Sequence, residues 1–91
     1  MTDHDADPTS EAPTAVAVLG HLVRSIVDDP DAVRIEVDDS HRRGLRLDVH
    51  VAPGDMGRVI GRRGRVATAI RTVVRAAAVR DDVEVDVEFV D

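Results

Sequence analysis

The sequence contains no cysteine, tryptophan, tyrosine or lysine, and only one phenylalanine, Phe89. Without cysteine there is no disulfide framework and no thiolate metal site to supplement the core. That absence is also consistent with a reducing compartment. No apolar run approaches the roughly 20 residues of a membrane-spanning helix. The first residues, MTDHDADPTSEAP, are acidic and polar, the reverse of a signal peptide's order. These absences predict a soluble cytoplasmic protein with no membrane contact. At 91 residues the chain is one small domain. A folded unit of about 75 residues buries only roughly 60–65% of its unfolded surface, so the core is modest.

Positive charge is scarce overall but concentrated locally. The formal net charge is -6, and all 12 basic residues are arginine. Residues 56–80 hold seven of them (Arg58, Arg62, Arg63, Arg65, Arg71, Arg75 and Arg80) and no Asp or Glu. The remainder carries five arginines against all 18 acids. General acidity limits nonspecific adhesion, while the local basic field attracts anions. A solvated helix face accounts for most charge runs, but a stretch of 25 residues free of acids argues against it here.

Residues 1–13, rich in Asp, Pro, Ser and Thr with no apolar period, predict a disordered acidic tail, leaving 14–91 as the folded domain. Thr14 is placed to cap a first helix, in which Val16, Leu19, Leu22, Val23, Ile26 and Val27 recur at helical spacing. Asp28-Asp29-Pro30 ends it, because the residue before proline is pushed out of helical geometry. Strict alternation follows: Val33, Ile35 and Val37, then a polar connection DDSHRRG, then Leu45, Leu47, Val49 and Val51. Two such runs joined by a short loop read as a hairpin with one buried face. After Ala52-Pro53-Gly54, Asp55 is placed to cap a very short helix, Met56 to Ile60. A longer helix over 65–79 has the stripe Val66, Ile70, Val73, Val74 and Ala77. A last strand alternates Val83, Val85, Val87 and Phe89 against Glu84, Asp86 and Glu88. The predicted order, α-β-β-α-α-β, is an α+β fold of a three-stranded sheet packed against three helices.

Between the two later helices lies VIGRRGR, residues 59–65. Gly61 and Gly64 permit positive φ and let another backbone approach. The turn delivers the N-terminus of the following helix, whose N–H groups and dipole favour an anion. Arg62, Arg63 and Arg65 add forked donors suited to phosphate oxygens. A glycine that merely ended a helix would require none of these arginines.

Ile60-Gly61-Arg62-Arg63-Gly64, set between helices and flanked by strands, resembles the I-G-x-x-G signature of KH RNA-binding domains in their bacterial, type II arrangement. From about Leu19 to Val90 the chain is similar to the KhpA family of small bacterial single-KH-domain proteins. The stretches that carry the likeness are LVRSIVDDPDAVRIEV, VAPGDMGRVIGRRGRVATAIRTVVRAAA and VEVDVEFVD. One departure is Ala67, where the broader KH pattern often has Ile three residues after the second glycine; Ile70 supplies the next apolar anchor.

The resemblance implies that Gly61, Arg62, Arg63 and Gly64, with Arg65, clamp the backbone of about four unpaired RNA nucleotides, while Ile60 and Val66 floor the groove beneath the bases. Arg58 and Arg71 are secondary candidates. So are Arg42 and Arg43, with His41, on the loop between the first two strands, which would form the opposite wall. Phe89 fits a core strand, so no aromatic platform for bases is expected, and specificity should be poor. The likeness also implies an RNA chaperone or post-transcriptional regulator that works with a KhpB-type partner (also called Jag or EloR), in cell elongation and cell-wall biogenesis. Self-association belongs to the same implication.

Two other readings fit less well. A helix-turn-helix DNA binder would need a longer first helix than Met56 to Ile60. A KH-fold protein-interaction module without RNA binding would be marked by a degraded glycine loop. Gly57, Gly61 and Gly64 are spaced GxxxGxxG, not as a dinucleotide-binding fingerprint. His4, His21, His41 and His50 show no ligand spacing. Neither a catalytic group nor a metal or other cofactor is expected.

Overall fold

A computed structural model of the protein describes residues 11–39 and 44–90. Its elements follow the predicted order: α1 (Pro13–Ile26), β1 (Arg34–Asp38), β2 (Leu45–His50), α2 (Met56–Ile60), α3 (Arg65–Ala78) and β3 (Val85–Val90). Single 3-10 turns occupy Pro30–Ala32, Pro53–Asp55, Arg62–Gly64 and Val79–Asp81. β2 is central, antiparallel to β1 and parallel to β3. A parallel neighbour requires a long crossover, and α2 with α3 provides it.

The period-2 pattern decides which face is covered. Leu45, Leu47 and Val49 of β2 and Val85 and Val87 of β3 are buried against the helices, together with Leu19 and Val23 of α1, Val59 of α2, and Ile70 and Val74 of α3. On the opposite face the register sets Glu36 beside Asp48 and Asp48 beside Glu88. Like charges directly across strands repel. Arg46 answers this by pairing with Asp48 at 2.8 Å and Asp38 at 3.1 Å, and His50 Nε2 lies 3.1 Å from Glu36 Oε1. The bond to His50 outweighs burial and, with Arg34, holds the Glu36 carboxyl below its ordinary range.

Several boundaries differ from the sequence reading. α1 begins at Pro13, not Thr14, with proline at the first helical position, where its missing N–H costs nothing. Ala12 is fully buried, so the folded unit reaches back into the segment expected to be tail. The rest of that expected tail, residues 1–10, lies outside the described residues. Thr14 is not the cap. The Asp81 carboxylate instead accepts from the N–H of Thr14 at 3.1 Å and of Ala15 at 2.9 Å. Nor does Asp55 cap α2. It is 3% exposed, and its two oxygens accept from the N–H groups of Asp28 and Asp29, each at 3.1 Å, where the chain leaves α1. On α3 the buried stripe is Ala67, Ile70, Val74 and Ala78, which turns Val73 outward. Val83 is half-buried ahead of β3 rather than in it.

A candidate nucleic-acid interface

Local backbone geometry builds the loop. α2 ends because Gly61 adopts φ 75°, ψ 174°, and its N–H closes the last turn onto Gly57 O at 2.9 Å. Arg63 (φ 56°, ψ 25°) and Gly64 (φ 71°, ψ 15°) follow in the left-handed region, and Gly64 N–H donates to Gly61 O at 3.2 Å. Three of four consecutive residues therefore have positive φ. Glycine is required most strongly at 61, where a Cβ would overlap Val66 Cγ2 and stand 2.8 Å from Val66 Cβ. At 64 a Cβ would meet nothing, so only φ favours glycine there. A non-glycine residue in this region costs roughly 1–2 kcal/mol, and Arg63 sits there at the exposed tip.

The electrostatics of the loop are as distinctive as its shape. Four arginines elsewhere are paired with carboxylates: Arg34 with Glu36, Arg46 with Asp38 and Asp48, Arg58 with Asp28 and Asp55, and Arg75 with Asp86. Among the described residues no carboxylate pairs with Arg62, Arg63 or Arg65, all three exposed. α3 begins directly behind them with no side chain capping its first turn. Free guanidinium groups, a positive helix end and a tip without bulk thus converge on one point with no internal counter-ion.

The fold and this loop agree with what sequence comparison finds, since residues 17–89 match the family described as KhpA/KhpB, KH domain. The chain belongs to that family. The RNA-binding protein KhpA of Mycobacterium tuberculosis strain H37Rv is 58% identical over 59 residues, covering 65% of this chain and 72% of that protein. The RNA-binding protein KhpA of Leifsonia xyli is 55% identical over 69 residues, 76% of this chain and 90% of the relative. That of Caldanaerobacter subterraneus is 45% identical over 76 residues, 79% of this chain and all of the relative. The span matched to the KhpA/KhpB family contains every candidate residue named above.

The candidates do not all lie alike in this KH domain. Ile60 and Val66 are half-buried beside the loop and pack on the core. Arg58 points back toward α1, with Asp28 at 3.1 Å and Asp55 at 3.4 Å. Arg71 lies between α3 and β3, its Nε–H donating to Val87 O at 3.1 Å. His41, Arg42 and Arg43 lie outside the described residues. Leu45 N–H, at the start of β2, donates to Glu84 O at 2.9 Å, just ahead of β3. The glycine loop lies at the N-terminal end of α3. Facing the Gly64–Thr68–Arg71–Arg75 side of α3 is the outer edge of β3, as the bonds from Arg71 to Val87 and Arg75 to Asp86 establish.

Sequence reasoning missed Asp55 and Asp81. Asp55 reads as a helix-start residue and Asp81 as nothing in particular, and none of the bonds they make to main-chain amides is local. The available signal for Asp55 was its place between Pro53-Gly54 and an apolar helix, which gives no hint of partners 26 and 27 positions upstream.

Proposed function

We propose that this protein is an RNA-binding protein whose Gly61–Gly64 loop clamps the backbone of single-stranded RNA. The observation that carries the reading is the absence, among the described residues, of any carboxylate partner for Arg62, Arg63 and Arg65 on a positive-φ glycine tip. The names of relatives support it, since KhpA proteins at 45–58% identity are called RNA-binding. The glycines let the RNA backbone approach, the start of α3 receives a phosphate, and the arginines hold it. Gly61, Arg62, Arg63, Gly64 and Arg65 make the contacts, with Ile60 and Val66 beneath the bases.

The protein acts in the cytoplasm as an RNA chaperone or post-transcriptional regulator, not as an enzyme. It works with a KhpB-type partner in cell elongation and cell-wall homeostasis; the joint KhpA/KhpB description of its family supports that partnership. It also self-associates, a reading supported by the exposure of Val73 (46%) and Val79 (76%) on the outer side of α3 and the turn after it.

The test is the double variant Arg62→Asp, Arg63→Asp. Both side chains are exposed and make no ion pair among the described residues, so the thermal midpoint stays within a few degrees of the parent's. Binding to a fluorescein-labelled single-stranded RNA collapses, and the parent's log-log salt slope lies near -2, from about three phosphate contacts at roughly -0.7 each. A folded double variant that binds as tightly as the parent rules the clamp out.

A further inference from the structure

The side of α3 that runs from the glycine loop along β3 carries an arginine held by two kinds of contact. Arg71 is half-buried, its Nε–H donates to Val87 O at 3.1 Å, and its guanidinium carbon lies 5.4 Å from the centroid of the Phe89 ring, over the ring. Two independent contacts therefore restrain the guanidinium, one fixing its long axis and the other orienting it on an aromatic face. Among the described residues no carboxylate neutralises it. With Nε committed to the β3 backbone, Nη1 and Nη2 are left as an end-on fork of parallel donors.

Its position along the helix matters as much as its restraint. Gly64, Thr68, Arg71 and Arg75 recur at spacings of four, three and four, which places them on one side of α3. Seven residues of rise separate Gly64 from Arg71, about 10 Å. That is roughly three stacked nucleotides at 3.4 Å each. A glycine loop that clamps about four nucleotides thus brings a base to this depth. What it meets there is a flat cation backed by the only phenylalanine of the chain.

We infer that Arg71, held on Phe89 and on the Val87 carbonyl, is a base-reading residue that favours bases with two adjacent acceptors on one edge. Guanine offers O6 and N7, which a guanidinium fork engages together; adenine presents an amino donor beside N7 and repels one arm of the fork. The sequence lacks tyrosine and tryptophan, but a guanidinium plane also stacks on a base. Specificity accordingly comes from an arginine that borrows its rigidity from Phe89. This inference rests on the reading of the Gly61–Gly64 loop as an RNA clamp.

The experiment uses the full chain and two fluorescein-labelled RNAs, UUUUGUUUU and UUUUAUUUU, titrated under one salt condition. The parent prefers the guanine probe by a factor of several-fold to about 100-fold, as a bidentate pair does. Arg71→Lys keeps the charge but loses fork and plane, and brings the ratio to within about two-fold. Phe89→Leu, which removes the backing ring, narrows the ratio as well. If Arg71 serves only to cover the β3 edge, Arg71→Lys and Arg71→Gln lower the thermal midpoint and leave the guanine-to-adenine ratio at the parent's value. That result, or a parent that binds both probes equally, overturns the inference while the clamp stands. A parent that binds neither probe overturns both.

Discussion

Replacing Gly61 and Gly64 one at a time with alanine separates two kinds of glycine requirement within a single turn. At Gly64 the backbone is left-handed (φ 71°, ψ 15°) and an added Cβ meets nothing within 4 Å. The cost is the left-handed penalty of about 1–2 kcal/mol, offset by about 0.4–1 kcal/mol from a less disordered unfolded chain. The net loss is roughly 1 kcal/mol. At Gly61, φ 75° with ψ 174° falls in a region populated almost only by glycine, where any other residue costs about 1–3 kcal/mol. The new Cβ would also overlap Val66 Cγ2 and lie 3.0 Å from Val66 N, at the backbone of α3's second residue. Helix backbone does not rotate away as a side chain does, so overpacking adds about 1–3 kcal/mol. Gly61→Ala therefore loses about 2 kcal/mol more than Gly64→Ala. For a domain of this size each kcal/mol moves the midpoint by about 4–8 °C, so the two variants melt roughly 8–16 °C apart. Thermal unfolding followed by far-UV circular dichroism, at matched protein concentration, reads this directly. Val66→Ala on top of Gly61→Ala restores part of the loss because it removes the overlapping methyl. Equal midpoints for the two alanine variants would refute the claim that Val66 dictates glycine at 61.

The two long-range carboxylates give further expectations. Asp55→Ala leaves the N–H groups of Asp28 and Asp29 without their acceptor; hydrogen bonds to charged groups contribute about 1.5–3 kcal/mol each. We expect a loss of about 3–6 kcal/mol as a lower urea midpoint with unchanged slope, a smaller loss for Asp55→Asn, and rejection of the role if alanine costs under about 0.5 kcal/mol. For Asp81, burial favours the protonated form, but the Ala15 amide and the Thr14 hydroxyl and amide outweigh it and hold the carboxyl below its ordinary value of 3.8. The unfolded chain therefore binds this proton first on acidification. The contribution of Asp81 is full above the ordinary carboxylate range and disappears as the pH falls below about 3.8, through the folded value. The stability gap between the parent and Asp81→Asn should close over that acid window; a gap independent of pH would contradict the cap.

The sequence made local things legible and left distant pairings dark. Alternation at Leu45, Leu47 and Val49 located β2 and its buried side, because the pleat alone decides which side chains share a face. The same holds for α2, bounded by Pro53-Gly54 before it and Gly61 after it, and for the glycine loop, whose spacing is its own signal. On α3 the apolar residues outnumber the buried positions. Val73 and Ile70 look equivalent in a helical period, and only the angle at which α3 meets the sheet and α1 buries one and exposes the other. Arg71 shows the limit at the candidate site. Its charge marked it as one more basic residue on a basic helix, while its contacts to Val87 and Phe89 depend on a crossover that brings β3 alongside.

The way α1 is finished at its ends bears on how the chain can be made. It is made before the other described elements, yet Asp55 is 26 and 27 residues beyond the amides it accepts from, and Asp81 is 66 and 67 beyond its own. A short isolated helix is marginal in water, so α1 frays until Asp55 and Asp81 have been made. Folding of α1 is thereby deferred until α3 and the turn after it are available. A nascent or truncated chain ending before Asp81 has its first helix without a capped start, and its apolar side remains a target for chaperones and proteases.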